Sequence, residues 1–239
     1  MLVPKTFRTS RKMRAAAELR TSETEHQDRD TAVDFLSANP SVVRSIKQRM
    51  LLNNWLRALR KPRALPSLAD FRPDGAADEL PDMMRFDVEG NDETARFLIT
   101  QEGARLASIY GSDHVDPIKR INRYLDDALG PERYARVLPC YRECVVRRRP
   151  TYSISHVQDD EGREVSYERL LLPFGGPGGV EQIVGSYKSI SIEGRFRLNS
   201  LMGLDSVSTP VRVINAVIDN EIAPRPSSYH AAHDVIELS

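Results

Sequence analysis

The stretch from Gly130 to Ile190 constrains the fold of this chain more than any other part of it. Pro131 to Arg148 reads as a helix, and three runs rich in Val, Ile and Tyr follow: Thr151–Val157, Arg163–Phe174 and Val180–Ser189. The clusters Asp159-Asp160-Glu161-Gly162 and Gly175-Gly176-Pro177-Gly178-Gly179 separate them, which is the sequence signal for hairpins. Two successive hairpins make a three-stranded meander, about the smallest sheet that stands on its own.

Side chains alternate between the faces of a strand, so turn closure decides which residues share a face. With both turns closing symmetrically, Tyr152, Ile154 and His156 lie opposite Arg169, Tyr167 and Val165. Leu171, Arg169 and Tyr167 then lie opposite Ile183, Gly185 and Tyr187. One face is expected to collect Tyr152, Ile154, His156, Val165, Tyr167, Arg169, Leu171, Ile183, Gly185 and Tyr187. The other collects Ser153, Ser155, Glu164, Ser166, Glu168, Gln182 and Ser186, with Leu170, Leu172 and Val184 as an apolar patch at one end.

The chain has 239 residues, enough for one sizeable domain with extensions or for two small ones. A hydrophobic share of 40 % and 34 basic against 34 acidic residues fit a globular protein, and the zero net charge leaves no overall nucleic-acid footprint. No apolar run approaches the roughly 20 residues that span a bilayer. The N-terminus lacks the apolar core of a secretory signal. Cys140 and Cys144 lie four apart on one helix, a pattern that suits neither a zinc site nor a disulfide framework. They read as a redox pair or as two small core residues. A cytoplasmic location and no membrane contact are the expectations.

Residues 1–40 read as a flexible arm. It is basic over Met1–Arg20 and polar and acidic over Thr21–Asp30. Residues 41–61 read as an amphipathic helix, opened by Asn39-Pro40-Ser41 and ended before Pro62, with Val43, Ile46, Met50, Leu51, Leu52, Trp55, Leu56 and Leu59 at helical spacing. Its apolar stripe must be buried, on the sheet or on a second subunit. Met83–Val88 and Ala95–Gln101 read as strands, and Arg105–Tyr110 and Pro117–Leu129 as short helices, the latter with Ile118, Ile121, Tyr124, Leu125 and Leu129 inward. Pro139 is expected to kink or split the long helix. Residues 191–239 read as an extension, with a short helix expected at Arg195–Leu204 and an apolar segment of open type at Val211–Ile218.

The order is an amphipathic helix, two strands, short helices, a longer helix and three strands. That order resembles a PAS domain. The words Leu65-Pro66-Ser67-Leu68-Ala69-Asp70-Phe71, Leu80-Pro81-Asp82 and Phe86-Asp87-Val88 are similar to the opening of the single-PAS proteins common in alphaproteobacteria (the PAS-5 group). So are Tyr110-Gly111-Ser112-Asp113, Tyr141-Arg142-Glu143 and Arg148-Arg149-Pro150, and Tyr167-Glu168-Arg169-Leu170-Leu171-Leu172-Pro173 is the most specific of them. The resemblance covers roughly residues 45 to 190. Asp116-Pro117 stands where the family has a glycine, and Pro139 departs from its long helix. The resemblance implies an α+β fold: a five-stranded antiparallel sheet with helices on one face over residues 62–190, here with an N-terminal amphipathic helix and terminal extensions. It also implies signal sensing or protein interaction.

The sensing site is expected between the inner sheet face and the helices, with Tyr124, Tyr141, Tyr152, Ile154, His156, Tyr167, Arg169 and Tyr187 as pocket candidates. Arg169 needs a partner on an apolar face. That partner is either an anionic ligand such as a carboxylate, held in a bidentate fork, or a protein carboxylate such as Glu143 or Asp126. Haem is a PAS cofactor that needs an axial ligand, usually His. The long helix has none, leaving His114 and His156, so haem is a weak option. LOV-type flavin chemistry lacks its cysteine motif. No nucleophile–base or metal set appears, so the chain does not read as an enzyme, and the resemblance implies a PAS sensory protein without an output domain of its own. Ile46, Met50, Leu52, Trp55, Leu56 and Leu59 are the candidates for a homodimer or signalling-partner contact. The alternatives are a ligand-free interaction adaptor and, using the basic arm, a nucleic-acid-associated regulator.

Overall fold

The computed structural model describes residues 34–59, 64–72, 77–91, 94–109, 121–158, 164–191 and 211–219, all but Asp34 within the unit Phe35–Ser239. Strand β1 (Leu36–Ala38) precedes helix α1 (Ile46–Ala58), and strands β2 (Met83–Glu89) and β3 (Arg96–Glu102) follow. Next come α2 (Ala104–Ile109), β4 (Arg123–Tyr124), α3 (Leu125–Leu129) and α4 (Pro131–Arg147). Then come β5 (Thr151–Gln158), β6 (Glu164–Gly176), β7 (Gly179–Ser191) and β8 (Val211–Ile218). Among the described residues no helix is long and apolar enough to cross a membrane.

The eight strands among the described residues join one open sheet in the order β1-β8-β5-β6-β7-β2-β3-β4. Every pairing is antiparallel except that of β1 with β8. The fold is therefore α+β, and the five expected strands are its centre, as β5-β6-β7-β2-β3. The count is a correction: β8, β1 and β4 extend the sheet at its two edges. Val211–Ile218 is a strand because it supplies β5 with a second neighbour, pairing Tyr152 with Ala216 and Ile154 with Ile214. The sheet thus draws on residues on both sides of the expected 62–190 domain.

The helices cover both faces, not one. On one face, α4 packs Cys140, Tyr141, Cys144 and Val145 against Met84, Phe86, Leu171 and Ile183. On the other, α1 packs Leu51, Leu52 and Trp55 against Tyr152, Ile154, Leu170, Leu172 and Phe174. This is why Leu170-Leu171-Leu172 is continuously apolar: a strand buried on both faces has no solvent side to make polar. All three leucines are at most 1 % exposed.

α1 is shorter than expected. Asn39 caps a 3-10 turn at Pro40–Val42, and the helix itself starts after Ser45, whose hydroxyl accepts from the Gln48 N–H at 3.4 Å. Its buried stripe is Gln48, Leu51, Leu52 and Trp55, at spacings of i, i+3, i+4 and i+7. The Trp55 indole N–H donates to the Pro173 carbonyl at 2.7 Å. Leu52 and Trp55 are thus taken up by the chain's own sheet and are not available to a partner. Ile46 and Met50 stay on the outside, at 73 % and 44 % exposure, with Leu56 and Leu59 half-buried against the core.

Two further expectations are corrected. The helix over Pro117–Leu129 is not continuous: Asn122 adopts a left-handed φ of 67°, its N–H bonds the Ile99 carbonyl, and Arg123–Tyr124 pairs with β3. Ile121 is exposed there. Nor does Pro139 split the long helix, which runs as one element from Pro131 to Arg147. The expected helix at Arg195–Leu204 and the arm up to residue 33 lie outside the described residues.

Leu52→Ala should lower the unfolding free energy by about 2–5 kcal/mol, the cost of emptying a packed leucine site. Ile46→Ala should stay within about 0.5 kcal/mol, as for exposed positions. Chemical denaturation of the two variants reads both, and the reverse order would place the wrong face of α1 on the sheet.

Candidate functional site

The β6–β7 hairpin sets the site. Its turn is the two residues Pro177 and Gly178, with Gly176 paired to Gly179 and a bulge between Phe174 and Gly175. A Cβ on Gly175 would stand 2.1 Å from the Gly179 carbonyl oxygen, so only glycine fits that bulge. Beyond it Leu171 pairs with Gly185 and Arg169 with Tyr187. This register differs by two residues from the symmetrical expectation, so each side chain keeps its expected face.

The β5–β6 hairpin differs by one. Gln158 pairs with Glu164, leaving five residues in the connection instead of four, and Tyr152 meets Leu170 instead of Arg169. A slip of one residue turns the whole strand over. Tyr152, Ile154 and His156 therefore lie on the α1 face, away from Tyr167, Arg169 and Tyr187. Thr151, Ser153 and Ser155 take their place on the α4 face.

Of the eight pocket candidates, the structure gathers Tyr141, Arg169 and Tyr187, with Tyr167 on the same face. Tyr141 is 3 % exposed and packs on Phe86 and Phe97, with ring centroids 5.3 and 5.1 Å away. Its hydroxyl is 2.5 Å from the Tyr187 hydroxyl. The guanidinium carbon of Arg169 stands 5.9 Å from the centroids of both rings, within cation–π range. Tyr187 reaches Tyr141 by leaning back over Gly185, where an added Cβ would lie 2.5 Å from its hydroxyl. Ser153 pairs with both Arg169 and Asn215, so one row across the sheet reads Asn215, Ser153, Arg169, Tyr187. The Asn215 Oδ1 is buried without a hydrogen-bond partner. A guanidinium beside two phenols is a donor set suited to a carboxylate or another oxyanion. The two protein carboxylates expected as partners of Arg169 are engaged elsewhere: Glu143 binds Arg147 at 2.9 Å and Asp126 binds Arg96 at 3.1 Å.

Tyr124 stands apart at the sheet edge, donating to Glu89 at 2.6 Å beneath the Arg96 guanidinium, which lies 3.7 Å above its ring. His156 is half-buried on the α1 face, and His114 lies outside the described residues. Cys140 and Cys144 are free thiols in the core, and burial pushes the Cys144 thiol up, away from the reactive thiolate. The two cysteines behave as small core residues.

A second polar cluster, not foreseen, occupies the α1 face. Glu168, 4 % exposed, accepts from the Tyr152 hydroxyl at 3.0 Å, and the Arg44 N–H donates to that same hydroxyl at 3.1 Å. Gln48, wholly buried, donates to the carbonyls of Glu168 and Ser186 at 3.4 and 3.0 Å. Lys188, the cross-strand neighbour of Glu168, reaches Glu79 at 2.6 Å and Asp82 at 2.8 Å, tying the 3-10 turn Ala77–Asp82 to β7. Arg105 also pairs with Asp82. The available signal was Gln48 itself, the N-terminal member of the Leu51, Leu52, Trp55 stripe.

Burial pushes the Tyr141 phenol up to about 12, while Arg169 and the Tyr187 hydrogen bond pull it down. Burial also pushes Tyr152 and Tyr167 up. The fold holds these phenols neutral, so their contribution is complete below the unfolded value of about 10 and is lost as the pH rises above it. Stability should therefore fall from about pH 10 towards 12, with phenolate absorbance and unfolding rising together. Tyr141→Phe should make that fall shallower, and an unchanged pH profile would remove Tyr141 from the buried set.

Compared with protein-family models and with curated proteins, the sequence matches none.

Proposed function

We propose that this chain is a PAS-type sensory module that receives a small oxyanionic ligand at the Tyr141, Arg169 and Tyr187 cluster, between α4 and the sheet. One observation carries the reading: a guanidinium and two phenols converge on the α4 face of the sheet, beside Ser153 and Asn215. Functional sites are where titratable groups held away from their ordinary ionisation collect, as the Tyr141 phenol is here. The central five antiparallel strands, with the Tyr167–Pro173 word along β6 and α4 above them, support the PAS resemblance drawn from the sequence. Signalling then follows from any ligand-dependent change in what the outer surface offers a partner.

A ligand-free interaction adaptor is the second reading. The closed packing of Tyr141 on Phe86 and Phe97 favours it, together with the exposed Ile46 and Met50 on the outside of α1. A homodimer through α1 would have to use that outer side.

Native mass spectrometry on the purified chain, set against its denatured mass, separates the two readings. The sensor predicts a stoichiometric extra mass that disappears on denaturation and is missing from Arg169→Met. An unmodified chain mass in the wild type, with Arg169→Met changing stability alone, would favour the adaptor.

A further inference from the structure

The α1-face cluster stands directly behind the proposed receiving site. Arg169 and Tyr187 are cross-strand partners pointing to the α4 side. The residues just before them, Glu168 and Ser186, point to the α1 side, and their carbonyls are the two groups that the Gln48 carboxamide holds. One side-chain nitrogen thus bridges β6 and β7 at the point where the opposite face carries the arginine and tyrosine. Both hydrogens of a carboxamide nitrogen are used in this way.

We propose that Gln48 is a latch that makes the seating of α1 depend on the spacing of β6 and β7, and hence on the state of Arg169 and Tyr187. It rests on reading that pair as the receiving site. The bond to the Glu168 carbonyl, at 3.4 Å, is near the limit of a hydrogen bond, so a small separation of the two strands breaks it while the 3.0 Å bond to Ser186 survives. A second bonding state is at hand. The Gln48 Oε1 and the Ser186 hydroxyl are both buried without hydrogen-bond partners. A carboxamide released from Glu168 has that hydroxyl to turn to. Unsatisfied groups in a dry interior weigh heavily, so the two arrangements differ by discrete bonds and not by gradual strain. The effect on α1 is direct, because Gln48 heads the same buried stripe as Leu51, Leu52 and Trp55.

The test is amide hydrogen exchange on the full chain, without ligand, in four proteins: wild type, Tyr187→Phe, Gln48→Met and the double variant. Tyr187→Phe removes the hydroxyl contact to Tyr141 from the far face. It should speed exchange of the α1 amides by about fivefold, the ratio expected for one net hydrogen bond, and leave β2 and β3 protected. In the Gln48→Met background the same change should add nothing in α1. An equal increment in both backgrounds, no increment in either, or an equal rise in α1, β2 and β3 would overturn the latch. If Gln48→Met does not fold, Gln48→Asn, one methylene too short to span both carbonyls, takes its place with the same expectations. A mass spectrum without ligand would remove the proposed trigger and leave this result standing, so the two ideas fail separately.

Discussion

The fold rests on burial of the β6–β7 hairpin from both sides. Leu171 and Ile183 meet α4, while Leu170, Leu172 and Phe174 meet α1, and each of these side chains is at most 1 % exposed. A buried aliphatic side chain contributes about 1.5–3 kcal/mol relative to an exposed one. A pair of strands covered twice therefore anchors both helices and both wings of the sheet. The rest of the architecture is attached to this hairpin: β2-β3-β4 on one side and β5-β8-β1 on the other.

Double coverage also places the polar groups. A strand with no solvent face must satisfy any polar side chain inside the protein, and it does so differently on its two sides. Towards α4 the arginine lies between aromatic rings and a phenol–phenol hydrogen bond. Towards α1 the glutamate takes a tyrosine hydroxyl, and the glutamine of the helix takes two strand carbonyls. Because neighbouring residues point opposite ways, the two clusters share a backbone and lie back to back. Any movement of the hairpin is common to both.

Much of the fold was legible in the sequence. The five central strands came from β-branched and aromatic runs between turn residues, and α4 from Pro131 and its helical periodicity. The stripe of α1 was partly visible. Its outer members, Ile46 and Met50, were grouped with its inner ones because Gln48 was not counted as a buried position. Of the site, Tyr141, Arg169 and Tyr187 were named and do meet, because the β6–β7 register moved by an even number of residues. Tyr152, Ile154 and His156 were named for the same face and lie on the other, because the β5–β6 register moved by an odd one.

The sequence by itself determined the five central strands and α4, since alternation, turn chemistry and helical spacing are local properties. Only the tertiary structure decided how many residues the β5–β6 connection spends, and a single residue there reverses a whole strand. Only it decided that α1 spends its apolar stripe on its own sheet and that a segment near residue 215 returns to pair with β5. Those outcomes depend on contacts between residues far apart in the chain, where local preference is silent and the packing of the whole core selects the register.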